Sequence, residues 1–155
     1  MAITYLTGDA TQPLGGGNKI IVHICNNIGG WGRGFVVAIS KRWKEPEWMY
    51  RQWHAAQKGK NLPLGEIQLV QVEKDIWVCN MVAQHNIMSI GGVAPIRYEA
   101  IQDGLRQVFL TAQHLGASIH MPRIGCGLGG GVWNRVEPII EEQLPGLDVT
   151  VYDLT

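Results

Sequence analysis

Residues 121–133 read Met-Pro-Arg-Ile-Gly-Cys-Gly-Leu-Gly-Gly-Gly-Val-Trp, with Gly125, Gly127, Gly129, Gly130 and Gly131 crowded into seven positions. Glycine lets the backbone adopt positive φ and lets a ligand approach closely. Where such a run joins a strand to a helix, free N–H groups and the positive helix end converge on one spot. That spot suits a phosphate or pyrophosphate. The alternative is a glycine turn that holds nothing. Residues 125–130 also fit G-x-G-x-x-G. A dinucleotide-binding domain carries that pattern after its first strand, with several βα units to follow. Here only one predicted helix and one predicted strand remain, which disfavours a nicotinamide oxidoreductase.

A second glycine-rich loop covers 26–34, Asn-Asn-Ile-Gly-Gly-Trp-Gly-Arg-Gly. The amide of Asn26 can hold ribose hydroxyls or bond the loop's own backbone. Trp31, at its tip with Gly32, Arg33 and Gly34, can stack on a sugar or base, or plug the loop against the core. Asp9 follows a predicted strand, and its carboxylate can accept from an adenine amino group or cap a turn. His23 and Cys25 fall on one side of a predicted strand. His23 is either a satisfied core residue or an acid–base group near neutral pH. His85 and His120 are weaker candidates. A metal site from His23, Cys25, Cys79, His85 and Cys126 lacks the spacing of zinc patterns, so no metal is expected. Cys126 needs an activating base to be a nucleophile. No pattern supplies one, and small size in a tight turn explains it better.

The elements that must position these residues follow from periodicity. Strands are predicted over 3–7, 19–25, 67–72, 76–82, 118–121 and 148–154. The run 19–25 is apolar enough to be covered on both faces. Segments 67–72 and 76–82 form a hairpin or adjacent strands. Helices are predicted over 35–43, along Phe35, Ile39 and Trp43, and over 46–57, along Met49, Trp53 and Ala56. The clearest helix is 98–115, stopped by Gly116. Asn134 is the predicted cap of a last helix to 144, with Pro138 tolerable only in its first turn. Trp133 is expected to anchor that helix in the core, and 84–95 is a loop. This order predicts an α/β fold, a mixed sheet with helices on both faces. Ligands of open α/β sheets sit outside the carboxyl ends of the strands. The Gly8-Asp9 turn and both glycine loops all leave predicted carboxyl ends.

One domain over 1–155 is expected, large enough to fold without disulfide or metal. Thirteen Lys+Arg balance thirteen Asp+Glu, so the net charge is +0 and no basic stripe invites nucleic acid. Three widely spaced cysteines suit a reducing compartment. No segment approaches a membrane span, and the first residues lack the character of a signal peptide. A cytoplasmic protein is the expectation.

The Gly8-Asp9 turn, the histidine before the 23–34 loop, and MPRIGCGL at 121–128 resemble a macrodomain, the ADP-ribose-binding module. The tail VWNRVEPIIEEQLPGLDVTVYDL continues the resemblance, which spans nearly the whole chain. The chain is similar to the branch holding the terminal ADP-ribose protein glycohydrolase, and more distantly to the fungal ADP-ribose-1″-phosphate phosphatases. The resemblance implies a mixed sheet sandwiched by helices, with ADP-ribose or an ADP-ribosylated substrate at one edge and no further cofactor. It implies that Asp9 takes the adenine amino group beside the Ala10 backbone, with Leu154 near the ring. It implies that Ile124, Gly125, Cys126, Gly127, Leu128 and Gly129 wrap the diphosphate, and that 26–34 covers it and the distal ribose from the other side. The glycohydrolase branch uses a lysine before the long helix and an aspartate directly after G-C-G-L. Here those positions read Ala83-Gln84-His85 and Gly129. His23 matches the histidine of the branch and is the catalytic candidate on that ground. Two functions follow: hydrolysis of a 1″-phosphate, acyl ester or ADP-ribosyl linkage, or a module that reads ADP-ribose without chemistry. A third, an RNA- or nucleotide-binding module, fits the neutral charge least.

Overall fold

The computed structural model describes residues 3–154. Residues 1, 2 and 155 of the expected domain, and with them the start of the amino-terminal segment, lie outside the described residues. The chain runs β1 (Thr4–Thr7), β2 (Lys19–Asn26), α1 (Phe35–Arg42), α2 (Glu45–Ala55), β3 (Ile67–Glu73) and β4 (Ile76–Gln84). It continues through α3 (Tyr98–Leu115), β5 (Ser118–Met121), α4 (Trp133–Gln143) and β6 (Val149–Asp153). The six strands form one mixed sheet in the order β1-β6-β5-β2-β4-β3. Only the β3–β4 pair is antiparallel, closed by a tight turn at Lys74-Asp75. Every other pair is parallel, so β1, β2, β4, β5 and β6 end on a common edge.

Apolar patterning explains the layers. β2 is Lys-Ile-Ile-Val-His-Ile-Cys-Asn and is buried along nearly its whole length, as a central parallel strand must be. One face packs Ile20, Val22, Met81 and Ile119 against Ile101, Leu105 and Val108 of α3 and Val136 and Ile140 of α4. The other packs Ile21, Cys25, Val78 and Val82 against Ile39 of α1 and Tyr50 of α2. Each such side chain, fully buried, contributes roughly 1.5–3 kcal/mol. The long helix and β5 have the predicted boundaries, and Gly116 caps α3 in the left-handed region at φ 62°.

Four expectations are corrected. The buried face of α2 carries Pro46 and Tyr50 rather than a stripe ending at Ala56, which is exposed. Val132 stands at the N-cap of α4 with no side-chain cap, and Asn134 lies inside the helix. Pro138 sits beyond the first turn and is tolerated inside the helix. Trp133 is half-buried at the sheet margin, where its Nε1 donates to Tyr5 Oη at 3.0 Å and the Arg123 guanidinium lies 5.2 Å from its ring. It ties α4 to the β1 edge rather than filling the core. Among the described residues, no helix is long and apolar enough to cross a membrane.

Candidate functional site

The carboxyl edge of the sheet gathers five segments. Gly8 donates its N–H to Asp153 O at 2.7 Å, which brings the turn after β1 against the end of β6. Asp9 accepts at Oδ1 from Thr11 N and Thr11 Oγ1, both at 2.8 Å. This Asx turn fixes the carboxylate and leaves Oδ2 without a donor among the described residues. Ala10 is buried beside it, and Leu154 is exposed just past β6.

The loop after β5 holds its shape with few bonds. Gly131 N donates to Gly125 O at 2.7 Å and Gly130 N to Gly127 O at 3.1 Å. A Cβ on Gly131 would lie 2.5 Å from Gly125 O, so only glycine fits there. The amides of Gly127, Leu128 and Gly129 donate to no described residue. Leu128 is 60% exposed, and its Cδ1 would lie 3.6 Å from a Cβ on Gly34 in the opposite loop. There Gly34, φ 83°, precedes α1, which has no side-chain cap and no acidic residue in its first turn. Unbonded amides thus border the gap from both loops, an arrangement that favours an anion. Burial raises the Cys126 thiol above its ordinary range, which makes it a poor nucleophile.

The loop after β2 is built differently. Asn26 Oδ1 accepts from Ile28 N and Gly30 N and lies 2.9 Å from Tyr50 Oη, while Nδ2 donates to Gly30 O. Its amide is spent on the loop itself, which leaves the backbone of 31–34 to face a ligand. Trp31 is 4% exposed and points inward. Its Nε1 donates to Ser40 Oγ at 2.7 Å, and its ring packs edge-on over His23 at 5.4 Å and against Tyr50 at 5.3 Å. It is the plug, not a stacking platform. Gly32, Arg33 and Gly34 are exposed at the rim.

His23 lies beneath that plug, 1% exposed. Asn80 Nδ2 donates to Pro46 O and Gln68 Oε1, so Asn80 Oδ1 is the acceptor for His23 Nε2–H at 2.6 Å. The other ring nitrogen, Nδ1, is buried without a partner. Burial pushes the ring down to about 4, partly offset by the bond to Asn80. The ring is held neutral, and the structure does not bring it to the cleft surface. His120 is likewise buried, bonded to Tyr152 Oη at 2.7 Å. His85 is half-exposed at the end of β4, where its Nδ1 meets Asn27 Nδ2 at 3.0 Å. Among the described residues, no group of three or more His, Cys, Asp or Glu side chains could hold a metal ion.

Sequence reasoning missed Tyr50, whose hydroxyl donates to Asn26 O at 2.6 Å and accepts from Gly29 N at 3.1 Å. The spacing Pro46–Tyr50 was a signal for it, outcompeted by the bulkier Met49–Trp53 stripe.

No family model matches the chain. Among solved structures it is similar to a protein from Bacteroides thetaiotaomicron, 52% identical, with a TM-score of 0.95 and 99% of each chain covered. It is also similar to a macrodomain protein from Streptomyces coelicolor, 49% identical, with a TM-score of 0.85, covering 98% of this chain and 99% of that one. Over 97% of its length it is 32% identical to the chromodomain-helicase-DNA-binding protein 1-like of Mus musculus, but it spans only 17% of that relative. It is 26% identical to the ADP-ribose 1''-phosphate phosphatase of Candida albicans, covering 90% of this chain and 92% of the relative. It is also 26% identical to the DNA ADP-ribosyl glycohydrolase of Mycobacterium tuberculosis, covering 97% of this chain and 42% of the relative.

Proposed function

The chain belongs to the macrodomain family, and on that premise we propose that it binds ADP-ribose along the carboxyl edge of the sheet and hydrolyses an ADP-ribose derivative. One observation carries this: the amides of Gly127, Leu128 and Gly129 bond to no described residue, and the start of α1, which Leu128 approaches at Gly34, has no side-chain cap. A diphosphate there would satisfy both sets of donors. The spare Oδ2 of Asp9 then accepts from the adenine amino group, beside Ala10 and Leu154. The backbone from Trp31 to Gly34 closes over the ligand from the side of β2. The substrate is a 1″-phosphate, an acyl ester or an ADP-ribosyl linkage, classes that the phosphatase and glycohydrolase names of the relatives support. Three unpaired cysteines support a reducing, cytoplasmic setting.

A non-catalytic reader of ADP-ribose is the second reading. The stretch Ala83-Gln84-His85 and Gly129 favour it, because they stand where the resemblance expects a lysine and an aspartate. So does the sealed position of His23.

Calorimetric titration with ADP-ribose, with AMP and NAD as controls, tests the binding. Selective uptake of ADP-ribose is expected, and absence of uptake overturns the proposal. Incubation with ADP-ribose-1″-phosphate and with an ADP-ribosyl ester then separates the two readings. Phosphate or acid release marks the enzyme, and tight binding with intact substrate marks the reader.

A further inference from the structure

The sheet face that α1 and α2 cover with apolar side chains at β2 and β4 is met differently at β5 and β6. Ile119 and Val151 belong to the core beneath α3 and α4, so strand alternation turns His120 and Tyr152 to the other face. Both are buried there, 2% and 4% exposed. The segment 8–18, between β1 and β2, reaches this pair through hydrogen bonds rather than through an apolar core.

The direction of those bonds is fixed. Leu14 N–H donates to Tyr152 Oη at 3.0 Å, and a backbone amide can only donate. The Tyr152 hydroxyl sends its own proton to His120 Nδ1 at 2.7 Å. Were Nδ1 protonated instead, the hydroxyl proton would have no acceptor among the described residues. Burial and the Lys19 charge push the His120 ring down to about 4, so it is neutral and its single proton is on Nε2. Nε2–H donates to Ser118 Oγ at 2.8 Å, and the Ser118 hydroxyl points at Asn18 O at 3.4 Å. One relay thus joins Leu14 to Asn18 beneath the segment. Tyr152 also meets the segment on the far side of Asp9. A Cβ on Gly8 would lie 3.4 Å from its ring, and Gly8 N donates to Asp153 O at 2.7 Å. Between these two anchors, Gln12 N donates to Asp9 O at 2.9 Å and Thr11 holds Asp9 Oδ1, so residues 9–12 form one turn.

We propose that Tyr152, held by His120, is the positioning residue that sets where the Asp9 carboxylate stands, and with it the preference of the site for adenine over a base that lacks the amino group. This rests on the ADP-ribose reading above. The Thr11 bonds fix the carboxylate to its turn, and Tyr152 fixes the turn to the sheet, by its ring at Gly8 and by its hydroxyl at Leu14. A hydrogen bond weakens steeply once its distance or angle is lost, so a turn free to shift at Leu14 reads the amino group poorly. Tyr152 and His120 act through the turn and not by contact with the ligand.

Binding of ADP-ribose and of inosine diphosphate ribose, which carries a carbonyl oxygen in place of the adenine amino group, tests this role. Wild-type protein is expected to prefer ADP-ribose by about tenfold, because the carbonyl leaves the carboxylate unpaired. Tyr152→Phe keeps the ring and removes the hydroxyl. It is expected to cut that preference by about fivefold, to leave inosine diphosphate ribose affinity unchanged, and to speed hydrogen exchange at the Leu14 amide. If wild type binds neither ligand, the ADP-ribose reading fails and takes the positioning role with it. If wild type binds ADP-ribose and the variant keeps the full preference, or wild type has none, the positioning role is overturned and the reading stands. Long-range 1H–15N NMR of His120 in the unliganded wild-type protein checks the relay without any variant. A proton on Nε2 is expected, and one on Nδ1 overturns the relay.

Discussion

The two glycine loops have similar compositions and opposite fates. Loop 26–34 consumes its own polar groups: Asn26 makes four bonds to Ile28, Gly30 and Tyr50, and Trp31 is driven into the core. Arg51 reinforces it by donating to Gly29 O at 3.1 Å and to Glu47 Oε2 at 2.9 Å. The Ser40 hydroxyl joins Trp31 to Glu47. The loop after β5 has a thinner side-chain frame, in which Tyr98 Oη accepts from Val132 N at its far end at 3.0 Å. It keeps Leu128 outside and leaves three consecutive amides unbonded. One loop is a braced wall and the other is the candidate cradle. Glycine content alone does not separate them. What separates them is whether a neighbouring helix supplies partners, and α2 does so only for the first.

The largest test removes the plug. Trp31→Ala is expected to cost roughly 3–5 kcal/mol of stability, read as a lowered urea midpoint, because it empties a site between His23, Tyr50 and Ser40. ADP-ribose affinity falls with it, since the wall loses its anchor. A loss under about 1 kcal/mol would mean that the wall is as soft as the cradle.

The second test uses the proton. His23 has an ordinary value of 6.5 and a folded value of about 4, so the unfolded chain binds more protons between those limits. Stability is complete above about pH 6.5 and is lost as pH falls toward about 4, by roughly 3 kcal/mol. His120, pushed down to about 4 by burial and by the Lys19 charge, adds in the same direction. Urea unfolding across that window should show the slope, and His23→Gln should flatten part of it. An unchanged slope in that variant would show that protonation does not act at the floor of the wall.

The smallest stability effect belongs to the cradle. Gly131→Ala forces a methyl against Gly125 O and is expected to cost roughly 1–3 kcal/mol while abolishing ADP-ribose binding. Gly127→Ala meets nothing within 4 Å and should leave stability unchanged. If both substitutions leave binding intact, the cradle does not hold the ligand by its backbone.

Much of the architecture was legible because apolar period and strand length are local properties. α3 shows it most clearly: Ile101, Leu105, Val108 and Ala112 recur at helical spacing and are all buried. β2 was equally legible as an uninterrupted apolar run. The cap of α4 was not. Asn134 has the right chemistry for a cap, but the helix starts at Trp133, which bonds across to Tyr5 on β1. Among the candidate site residues, the places of Asp9 and the 124–129 loop at the carboxyl edge were legible, since a strand end and glycines mark them. Trp31 and His23 were ambiguous, because the same residue types serve a core and a cleft.

The sequence by itself determined that glycine-rich joints leave the carboxyl ends of strands, and so which edge of the sheet is the candidate site. That follows from periodicity and from the backbone freedom of glycine, which operate over a few residues. Only the tertiary structure decided which joint closes on itself and where protons reside. Those outcomes depend on hydrogen-bond partners far away in the chain. Tyr50 sets Asn26, Asn80 sets His23, and Tyr152 sets His120. A donor or acceptor has no fixed role until the groups that face it are known.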